Sequence, residues 1–277
     1  MSIRIIVAGP RGRMGSTAIE MIKNEPNFQL VACLDRKNNG KRLKDISDIH
    51  PLDVPIFDHP DECFKTVQAD IFLDLTIPEV GYRHAKSALQ HHIRTVIGTS
   101  GLTNDQINDL TKLARNHRVG CIIAPNFAIG AVLMMQFAKF AAQYFPNVEI
   151  IEKHHDQKVD APSGTALKTV DMIRETREKM QQGHPDEYET VSGARGGNID
   201  GIPIHSVRLP GLVAHQQVIF GGNGQTLTIS HDSLNRHSFM DGMKLAIHHV
   251  MSLRELIYGL ENILEPIEHN QNKKRAH

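Results

Sequence analysis

Short apolar runs alternate with helical patterns through the first half of the chain. Residues 3–8 form an apolar run apart from Arg4, which is typical of a strand buried on both faces of a sheet. Apolar positions then recur at helical spacing over residues 13–23, and Pro26 prevents that helix from continuing. Further strands are predicted at residues 30–34, 71–75, 95–98 and 119–124, and further helices at 79–91 and 104–116. This alternation predicts right-handed crossovers and a doubly wound parallel sheet.

The second half of the chain lacks this regular alternation of strands and helices. Its predicted elements are helices at residues 128–144, 163–181 and 239–260, and strands at 148–152, 204–209, 216–220 and 226–230. Alternating polar and apolar residues in the last three strands are typical of an antiparallel or mixed sheet. We therefore predict an α/β chain with a Rossmann-type doubly wound parallel sheet over residues 1–126. A second α+β domain with an open mixed sheet is predicted over residues 127–237.

A glycine-rich loop joins the first predicted strand to the first predicted helix, with the sequence Gly9-Pro10-Arg11-Gly12-Arg13-Met14-Gly15. Glycine lets the backbone turn sharply and approach a pyrophosphate, while the following helix start offers N–H groups to the anion. The spacing G-x-x-G-x-x-G has one residue more than the usual dinucleotide fingerprint G-x-G-x-x-G. The prediction therefore depends on the position of the loop between a strand and a helix. It predicts a dinucleotide site. A flavin site, another nucleotide site or a loop without ligand are the alternatives.

The ends of other predicted strands carry residues suited to the rest of a dinucleotide. Asp35 follows the second strand, where an acid that binds the adenosine ribose belongs, and Arg36 could pair with a 2′-phosphate. Acid and base together suggest that both NADH and NADPH are tolerated. Small and hydroxyl residues follow three later strands, at Thr76, Gly98-Thr99-Ser100-Gly101 and Ala124-Pro125-Asn126-Phe127. They leave room for a nicotinamide ring, although each loop alone is also ordinary turn chemistry.

A polar segment in the second half gives the strongest local signal. Residues 152–166 have the sequence E-K-H-H-D-Q-K-V-D-A-P-S-G-T-A, between a predicted strand and a predicted helix. Ser163 is a suitable N-cap, so the first helical turn offers N–H groups to a substrate carboxylate. His154, His155 and Lys158 add positive charge and transferable protons. The segment predicts an anion pocket that contains acid–base groups.

Three other interpretations of this segment are open. A metal site at His154, His155 and Asp156 is disfavoured, because adjacent residues of an extended chain point to opposite sides, and we expect no metal. A Schiff base at Lys158 is disfavoured, because such lysines need an apolar pocket and its neighbours are polar. A solvated loop ahead of a capped helix is the third interpretation.

Composition narrows the class of protein. Lys and Arg together number 31, as do Asp and Glu, so the formal net charge is zero. That balance favours neither a nucleic-acid partner nor an anionic membrane. Cys33, Cys63 and Cys121 are odd in number and far apart, which is typical of a reducing compartment. The N-terminus has neither the layout of a signal peptide nor the length of a membrane span, so we expect a cytoplasmic protein.

The glycine loop and the 152–166 segment together resemble those of the 4-hydroxy-tetrahydrodipicolinate reductase (dihydrodipicolinate reductase) family. The resemblance spans nearly the whole chain and includes residues 7–15, 98–101, 124–127, 194–197, 201–208, 231–233 and 236–239. The pattern E-x-H-H-x-x-K-x-D-A-P-S-G-T-A is its most specific part. The departures are modest: Asp35 stands where glutamate is also expected, Ser100 where threonine is common, and Pro125 where a small residue would do.

The resemblance implies a role for each of these residues. It makes His154 the general acid–base, Lys158 a proton donor, His155 a substrate-binding group, and the backbone of Gly164 and Thr165 a carboxylate site. NADPH or NADH is then held by Gly9, Pro10, Arg11, Gly12, Arg13, Met14, Asp35, Arg36, Gly98, Thr99, Ser100, Ala124, Pro125, Asn126 and Phe127. The resemblance also implies a homotetramer built through the sheet of the second domain, and a C-terminal helix at 238–277 that packs on the first.

The implied reaction is the NAD(P)H-dependent reduction of 4-hydroxy-tetrahydrodipicolinate, a small dicarboxylate, in diaminopimelate and lysine biosynthesis. Hydride arrival leaves negative charge on an imine-like ring, which a cationic His154 or Lys158 can protonate. One alternative is another two-domain NAD(P)-dependent dehydrogenase with a cysteine nucleophile, for which Cys121 lies inside an apolar strand. The other is a dinucleotide-sensing protein without turnover, which the acid–base segment disfavours.

Overall fold

The structure is a computed structural model that describes residues 2–46 and 51–264. The strands are β1 (Ile3–Ala8), β2 (Phe28–Leu34), β3 (Ile56–Phe57), β4 (Ile71–Asp74), β5 (Arg94–Ile97), β6 (Cys121–Ile123), β7 (Asn147–His154), β8 (Gly197–Ile199), β9 (Ile202–Arg208), β10 (Ala214–Gly222), β11 (Gln225–Ser233) and β12 (Leu256–Tyr258). The helices are α1 (Arg13–Asn24), α2 (Pro60–Thr66), α3 (Pro78–Gln90), α4 (Asn104–His117), α5 (Ile129–Ala141), α6 (Gly164–Arg174) and α7 (Met240–Val250). Short 3₁₀ helices occupy Leu43–Asp45, Arg236–Phe239 and Leu260–Asn262.

The chain forms two compact units. The first comprises residues 1–125 and the chain from Gly242 onward, and the second comprises residues 126–241. Within the residues that the structure describes, no helix combines the length and apolarity needed to cross a membrane.

The first unit contains a seven-stranded sheet in the order β12-β6-β5-β4-β1-β2-β3, and every neighbouring pair is parallel. Strand β1 explains why the sheet forms, because Ile5, Ile6 and Val7 are all fully buried and only a sheet covered on both faces buries consecutive residues. The strand order reverses between β1 and β4, which is where such folds bind ligands. The predicted Rossmann-type sheet is confirmed.

The last element of this sheet differs from the prediction. The helix expected over 239–260 ends at Val250, and residues 256–258 form β12, which pairs with β6 in parallel. A Cβ at Gly120 would lie 2.4 Å from the Val250 carbonyl oxygen, so the helix end packs closely on the turn that precedes β6. The free edge of β6 then pairs with the short apolar run Leu256-Ile257-Tyr258. The remainder of the segment expected to pack on the first domain, residues 265–277, lies outside the described residues.

The second unit contains a five-stranded sheet in the order β11-β10-β7-β9-β8. The pair β7–β9 is parallel and the other pairs are antiparallel, so the predicted mixed sheet is confirmed. Helices α5 and α6 pack against each other, and α5 contacts β10 and β11. Helix α6 is shorter than the predicted 163–181, because the buried Arg177 donates hydrogen bonds to the carbonyls of Pro146, Asp200 and Gly201. These bonds direct the chain away from the helix axis.

Candidate active site

The glycine loop forms a tight turn between β1 and α1. Gly9 has a left-handed φ of +81°, and the Gly12 N–H donates to its carbonyl oxygen at 3.0 Å. Gly12 is also the N-cap of α1 and supplies no side chain to the helix end. A Cβ on Gly15 would lie 2.0 Å from the Gly9 carbonyl oxygen, so only glycine permits this approach. Because the first-turn N–H groups of a helix have no intrahelical partner, the loop fits the pyrophosphate of a dinucleotide.

Asp35 follows β2 and is only 7% exposed. Its carboxylate accepts hydrogen bonds from the Arg11 guanidinium, from the Lys37 N–H at 3.0 Å and from Asn38 Nδ2 at 3.0 Å. Burial alone would raise the pKa of Asp35, but these hydrogen bonds outweigh it and lower the pKa to about 2. The cation beside this acid is therefore Arg11 from the glycine loop, whereas Arg36, the neighbour in sequence, is exposed.

A buried carboxylate ties two of the strand-end loops together. Asp74, the last residue of β4, is fully buried, and its Oδ1 accepts from the N–H and the hydroxyl of Thr76 at 3.0 and 2.6 Å. His84 Nδ1 lies 2.9 Å from Asp74 Oδ2, and the Thr99 hydroxyl donates to the Thr76 carbonyl at 3.2 Å. The loop at 98–100 therefore meets Thr76 at the carboxyl edge of the sheet. Sequence reasoning missed Asp74 and His84, although an acid within an apolar strand is a recognisable signal.

The loop at 124–127 contains the boundary between the two units. The Ala124 N–H donates to the Ile97 carbonyl at 2.8 Å within the first unit. Asn126 and Phe127 belong to the second unit. There Asn126 Nδ2 donates to the Thr165 hydroxyl at 3.2 Å. One residue expected at the cofactor thus contacts one expected at the substrate.

Strand β7 is longer than predicted and carries His154. The strand expected over 148–152 extends to Asn147–His154, so the histidine lies on a sheet strand and not in the following loop. Side chains alternate between the two faces of a strand, and Val148, Ile150 and Glu152 all point to the buried face. His154 follows two residues later on that face, where its strand position restricts its movement.

Glu152 is fully buried and joins three parts of the second unit. The Arg208 guanidinium donates to both of its carboxylate oxygens, at 2.7 and 2.8 Å. The Ser163 N–H donates to Oε1 at 3.1 Å, and His154 Nδ1 lies 2.6 Å from Oε2. Burial raises the pKa of Glu152, but hydrogen bonds from Arg208, Ser206 and His154 outweigh it, and the net pKa is lowered. The ionised carboxylate therefore orients the arginine, the histidine and the start of α6.

The protonation of His154 follows from this pairing. Nδ1 donates to Glu152, which leaves Nε2 as the ring nitrogen that can exchange a proton. Burial is the largest influence and lowers the pKa of His154; Glu152 opposes it, and Lys158 adds to it. The net pKa is below the ordinary value, so the ring is neutral at neutral pH. A cationic His154 therefore requires a further anion, in addition to Glu152, to raise that pKa.

The turn after β7 holds the other two predicted side chains. The Lys158 N–H donates to the His155 carbonyl at 3.2 Å, which closes the turn. Lys158 Nζ lies 2.6 Å from Asp160 Oδ1, and this hydrogen bond lowers the pKa of Asp160. Arg208 also donates to the Asp160 carbonyl at 2.8 Å. The structure thus brings His155 and Lys158 to the end of β7 that carries the Glu152 pairs.

Helix α6 begins at the predicted N-cap. Ser163 Oγ accepts a hydrogen bond from the Ala166 N–H at 3.2 Å. The first-turn N–H groups of Gly164 and Thr165 have no partner within the helix. Apart from the neighbouring backbone of the helix itself, no atom of the described residues lies within 4 Å of the place where a Gly164 Cβ would stand, so the helix start is open on that side. It can accept a carboxylate.

A cavity within the second unit adjoins these residues, and His154, Thr165, Gln216 and His231 line part of it. Burial lowers the pKa of His231. Sequence reasoning assigned no role to Arg208, Gln216 or His231. These residues can be recognised only once the strand pairing is known, because Gln216 pairs with both Glu152 and His231 across neighbouring strands.

The cysteines are unsuited to nucleophilic chemistry. Cys33, Cys63 and Cys121 are all unpaired and buried. Burial raises the pKa of Cys63 and of Cys121 to about 12, and that of Cys33 still further. Because the thiolate is the reactive form, these thiols are inert at neutral pH. This disfavours the dehydrogenase alternative that depends on a cysteine.

Comparisons with known proteins cover both units. Family models described as the N-terminus and the C-terminus of dihydrodipicolinate reductase match residues 3–127 and 130–264. The 4-hydroxy-tetrahydrodipicolinate reductase of Oceanobacillus iheyensis is 62% identical over 265 residues, which is 95% of this chain and 100% of that protein. The same enzyme from Geobacillus thermodenitrificans is 60% identical, over 96% of this chain and 100% of that protein. A dipicolinate-bound dihydrodipicolinate reductase from Paenisporosarcina sp. TG-14 is 55% identical with a TM-score of 0.86, over 95% of this chain and 100% of that one.

Proposed function

The chain belongs to the dihydrodipicolinate reductase family, and on that basis we propose that it reduces 4-hydroxy-tetrahydrodipicolinate to tetrahydrodipicolinate with NADH or NADPH. It is an oxidoreductase by the same membership. The observation that supports this chemistry most directly is the buried Glu152, which holds an acid–base histidine, an arginine and a helix start at one end of β7. That cluster combines proton transfer with anion binding, as the reduction of a dicarboxylate requires.

We assign the cofactor to residues of the first unit and to the loop that ends it. The glycine loop at 9–14 would bind the pyrophosphate, Asp35 the ribose of NADH, and Arg11 and Arg36 the 2′-phosphate of NADPH. Residues 98–100 and 124–127 would hold the nicotinamide half. When bound, the reduced nicotinamide supplies hydride. Since Arg11, Lys37 and Asn38 already donate to Asp35, Arg11 must leave the carboxylate before ribose hydroxyls can bind it.

We assign the substrate to residues of the second unit. The N–H groups of Gly164 and Thr165 bind one carboxylate, as helix starts do. His155 and Lys158 bind the other through their positive charge and donors. These anchors fix the ring in one orientation, and a correctly oriented reactant needs less activation free energy.

His154 and Lys158 supply the proton. The overall reaction takes up one hydride and one proton and releases the 4-hydroxyl as water, so atoms and charge balance. The pKa of His154 is lowered before substrate binds, and the two substrate carboxylates raise it, so the ring takes up a proton as the complex forms. Glu152 stabilises the resulting imidazolium through Nδ1.

We further propose a cytoplasmic homotetramer that acts in diaminopimelate and lysine biosynthesis. The unpaired, buried cysteines support a reducing compartment. Phe140 and Tyr144 of the second unit are 61% and 68% exposed, and adjacent exposed aromatic side chains support an interface there. Light scattering is expected to give four times the 31.0 kDa chain mass, and a monomer would contradict the assembly.

The direct test of the proposed function is the oxidation of each reduced cofactor by purified protein with freshly generated substrate. We expect the absorbance of the reduced nicotinamide to fall only when both substrate and protein are present. Comparing NADH with NADPH at equal concentration gives the cofactor preference. Cofactor binding without any substrate-dependent fall in absorbance would contradict the proposal and favour a dinucleotide-sensing protein.

A further inference from the structure

Gln216 is buried, with 3% of its surface exposed, and only one end of its amide is paired. Nε2 donates to the Thr169 hydroxyl at 2.7 Å, and that hydroxyl donates in turn to the Thr165 carbonyl at 2.7 Å. Because the Thr169 proton is already used, Thr169 can only accept from Gln216, which fixes the orientation of the amide. Among the residues that the structure describes, Gln216 Oε1 has no hydrogen-bond partner.

The position of Gln216 in the sheet places it beside the acid–base cluster. It pairs with Glu152 across β10 and β7, and the row of Val148, Ile150 and Glu152 on β7 faces Phe220, Val218 and Gln216 on β10. All six side chains are buried, so an apolar row ends in a carboxylate and an amide. A buried amide oxygen costs folding free energy unless a donor reaches it.

Gln216 also lines the cavity that His154 and Thr165 line. The cavity has a volume of about 30 Å³, which is room for one or two groups the size of a water molecule. Thr165 and His154 are the residues assigned above to a substrate carboxylate and to the proton. The cavity therefore adjoins the substrate residues and has room for a group of hydroxyl size.

The hydrogen-bonding chemistry of Gln216 Oε1 determines which group of the substrate can bind there. Gln216 Oε1 accepts and cannot donate. The substrate named for the relatives carries two carboxylates, which are acceptors at neutral pH, an imine nitrogen, which is also an acceptor, and one hydroxyl, which is a donor. Among these groups only the hydroxyl can donate a hydrogen bond to Gln216 Oε1.

We propose that Gln216 Oε1 accepts a hydrogen bond from the 4-hydroxyl of the substrate, so that the cavity is a hydroxyl subsite and Gln216 a specificity-determining residue. This inference rests on the proposed function. The fixed amide gives the subsite its selectivity, since a ligand without a donor leaves Oε1 unpaired. An ordered water offers the same O–H chemistry, and dipicolinate, which has no hydroxyl, distinguishes the two sources.

The test compares Gln216→Met, which keeps similar volume and removes the acceptor, with the control Gln217→Met. Gln217 is the next residue on β10 and therefore points to the opposite face of the sheet. For each variant, steady-state kinetics give kcat/KM for the hydroxylated substrate, and calorimetry gives the Kd of dipicolinate. In Gln216→Met we expect kcat/KM to fall about tenfold, while the dipicolinate Kd stays within about twofold of the parent value. Gln217→Met should change neither.

Two results would overturn the inference: an unchanged kcat/KM in Gln216→Met, or an equal loss for substrate and dipicolinate, which would indicate a water or a structural role. If Gln216→Met does not fold, Thr169→Val keeps Gln216 and removes the group that fixes its amide. For Thr169→Val we expect a smaller, severalfold fall in kcat/KM and an unchanged dipicolinate Kd. An unchanged kcat/KM in this variant would also overturn the inference. Absence of turnover by the parent protein would instead contradict the proposed function itself.

Discussion

The glycine loop of the first unit is built from seven consecutive residues, whereas the Glu152 cluster of the second joins residues up to 56 positions apart. The loop presents backbone N–H groups, and its glycines matter because they carry no side chain. The cluster presents side chains, and each is held by a buried charge or hydrogen bond. A backbone site is thus specified locally and tolerates little added volume. A side-chain site is specified by sheet register and depends on charge.

The largest expected effect is on turnover, in Lys158→Ala. Loss of the proposed proton donor and carboxylate anchor should lower kcat by about 10²–10⁴-fold, with the fold intact because the Lys158 ammonium pairs with the exposed Asp160. Lys153→Ala is the matched control, since Lys153 lies on the same strand, on the opposite face from Glu152. Near-parent turnover in Lys158→Ala would remove this lysine from the mechanism.

The next effect is on stability, in Glu152→Gln. Removing the carboxylate leaves Arg208 with an uncompensated charge in a buried site, and we expect the free energy of unfolding to fall by about 3–5 kcal/mol. Glu149→Gln is the control on the same strand, because Glu149 pairs with Arg195 and His205 on a partly exposed face. There the loss should be about 1 kcal/mol or less. Equal losses in denaturant melts of the two variants would show that burial does not distinguish the pairs.

The third effect is on cofactor affinity, in Gly15→Ala. The added Cβ cannot remain 2.0 Å from the Gly9 carbonyl oxygen, so the loop must shift and its N–H groups lose their alignment. We expect the Kd of the reduced cofactor to rise about tenfold or more, as measured by calorimetry. An unchanged Kd would mean that the pyrophosphate does not depend on this turn.

The smallest effect is on cofactor preference, in Arg11→Ala. Without Arg11, Asp35 is free for ribose hydroxyls and a 2′-phosphate loses a cation, so kcat/KM with NADPH relative to NADH should fall severalfold. An unchanged ratio would assign the 2′-phosphate to Arg36.

The Arg11–Asp35 ion pair also makes the free energy of unfolding depend on pH in the acid range. The pKa of Asp35 is about 2 in the folded chain, below its ordinary value near 4, so the pair stabilises the fold above pH 4 and this contribution is lost as pH falls towards 2. Arg11→Ala should therefore lower the free energy of unfolding at neutral pH, and the difference from the parent should shrink in acid. A difference that grows in acid would contradict the pairing.

The sequence was sufficient to predict the features that depend on local pattern. The alternation of strands and helices predicted the parallel sheet, because consecutive burial in β1 is visible in the residue types. Ser163 and the start of α6 were likewise predictable, because capping depends on neighbouring residues. Asp35 was placed by its position after β2, although the sequence indicated Arg36 and not Arg11 as its cationic neighbour.

The features that escaped prediction depend on contacts between distant segments. Arg208 reaches Glu152 only because β9 lies next to β7, and Gln216 meets Glu152 only through the register of β10. The neutral resting state of His154 follows from burial, which residue type does not reveal. Strand β12 was missed because Leu256, Ile257 and Tyr258 continue an apolar helical pattern, and only the free edge of β6 pairs them as a strand.

The central claim is that the glycine loop and the Glu152 end of β7 bind different ligands independently of each other. Its most direct test is to titrate one variant of each site with both ligands. Calorimetry would measure the Kd of reduced cofactor and the Kd of dipicolinate for Gly15→Ala and for Lys158→Ala. We predict that Gly15→Ala weakens only the cofactor and that Lys158→Ala weakens only dipicolinate, each by about tenfold. A variant that loses both ligands together, or loses the wrong one, would contradict the account.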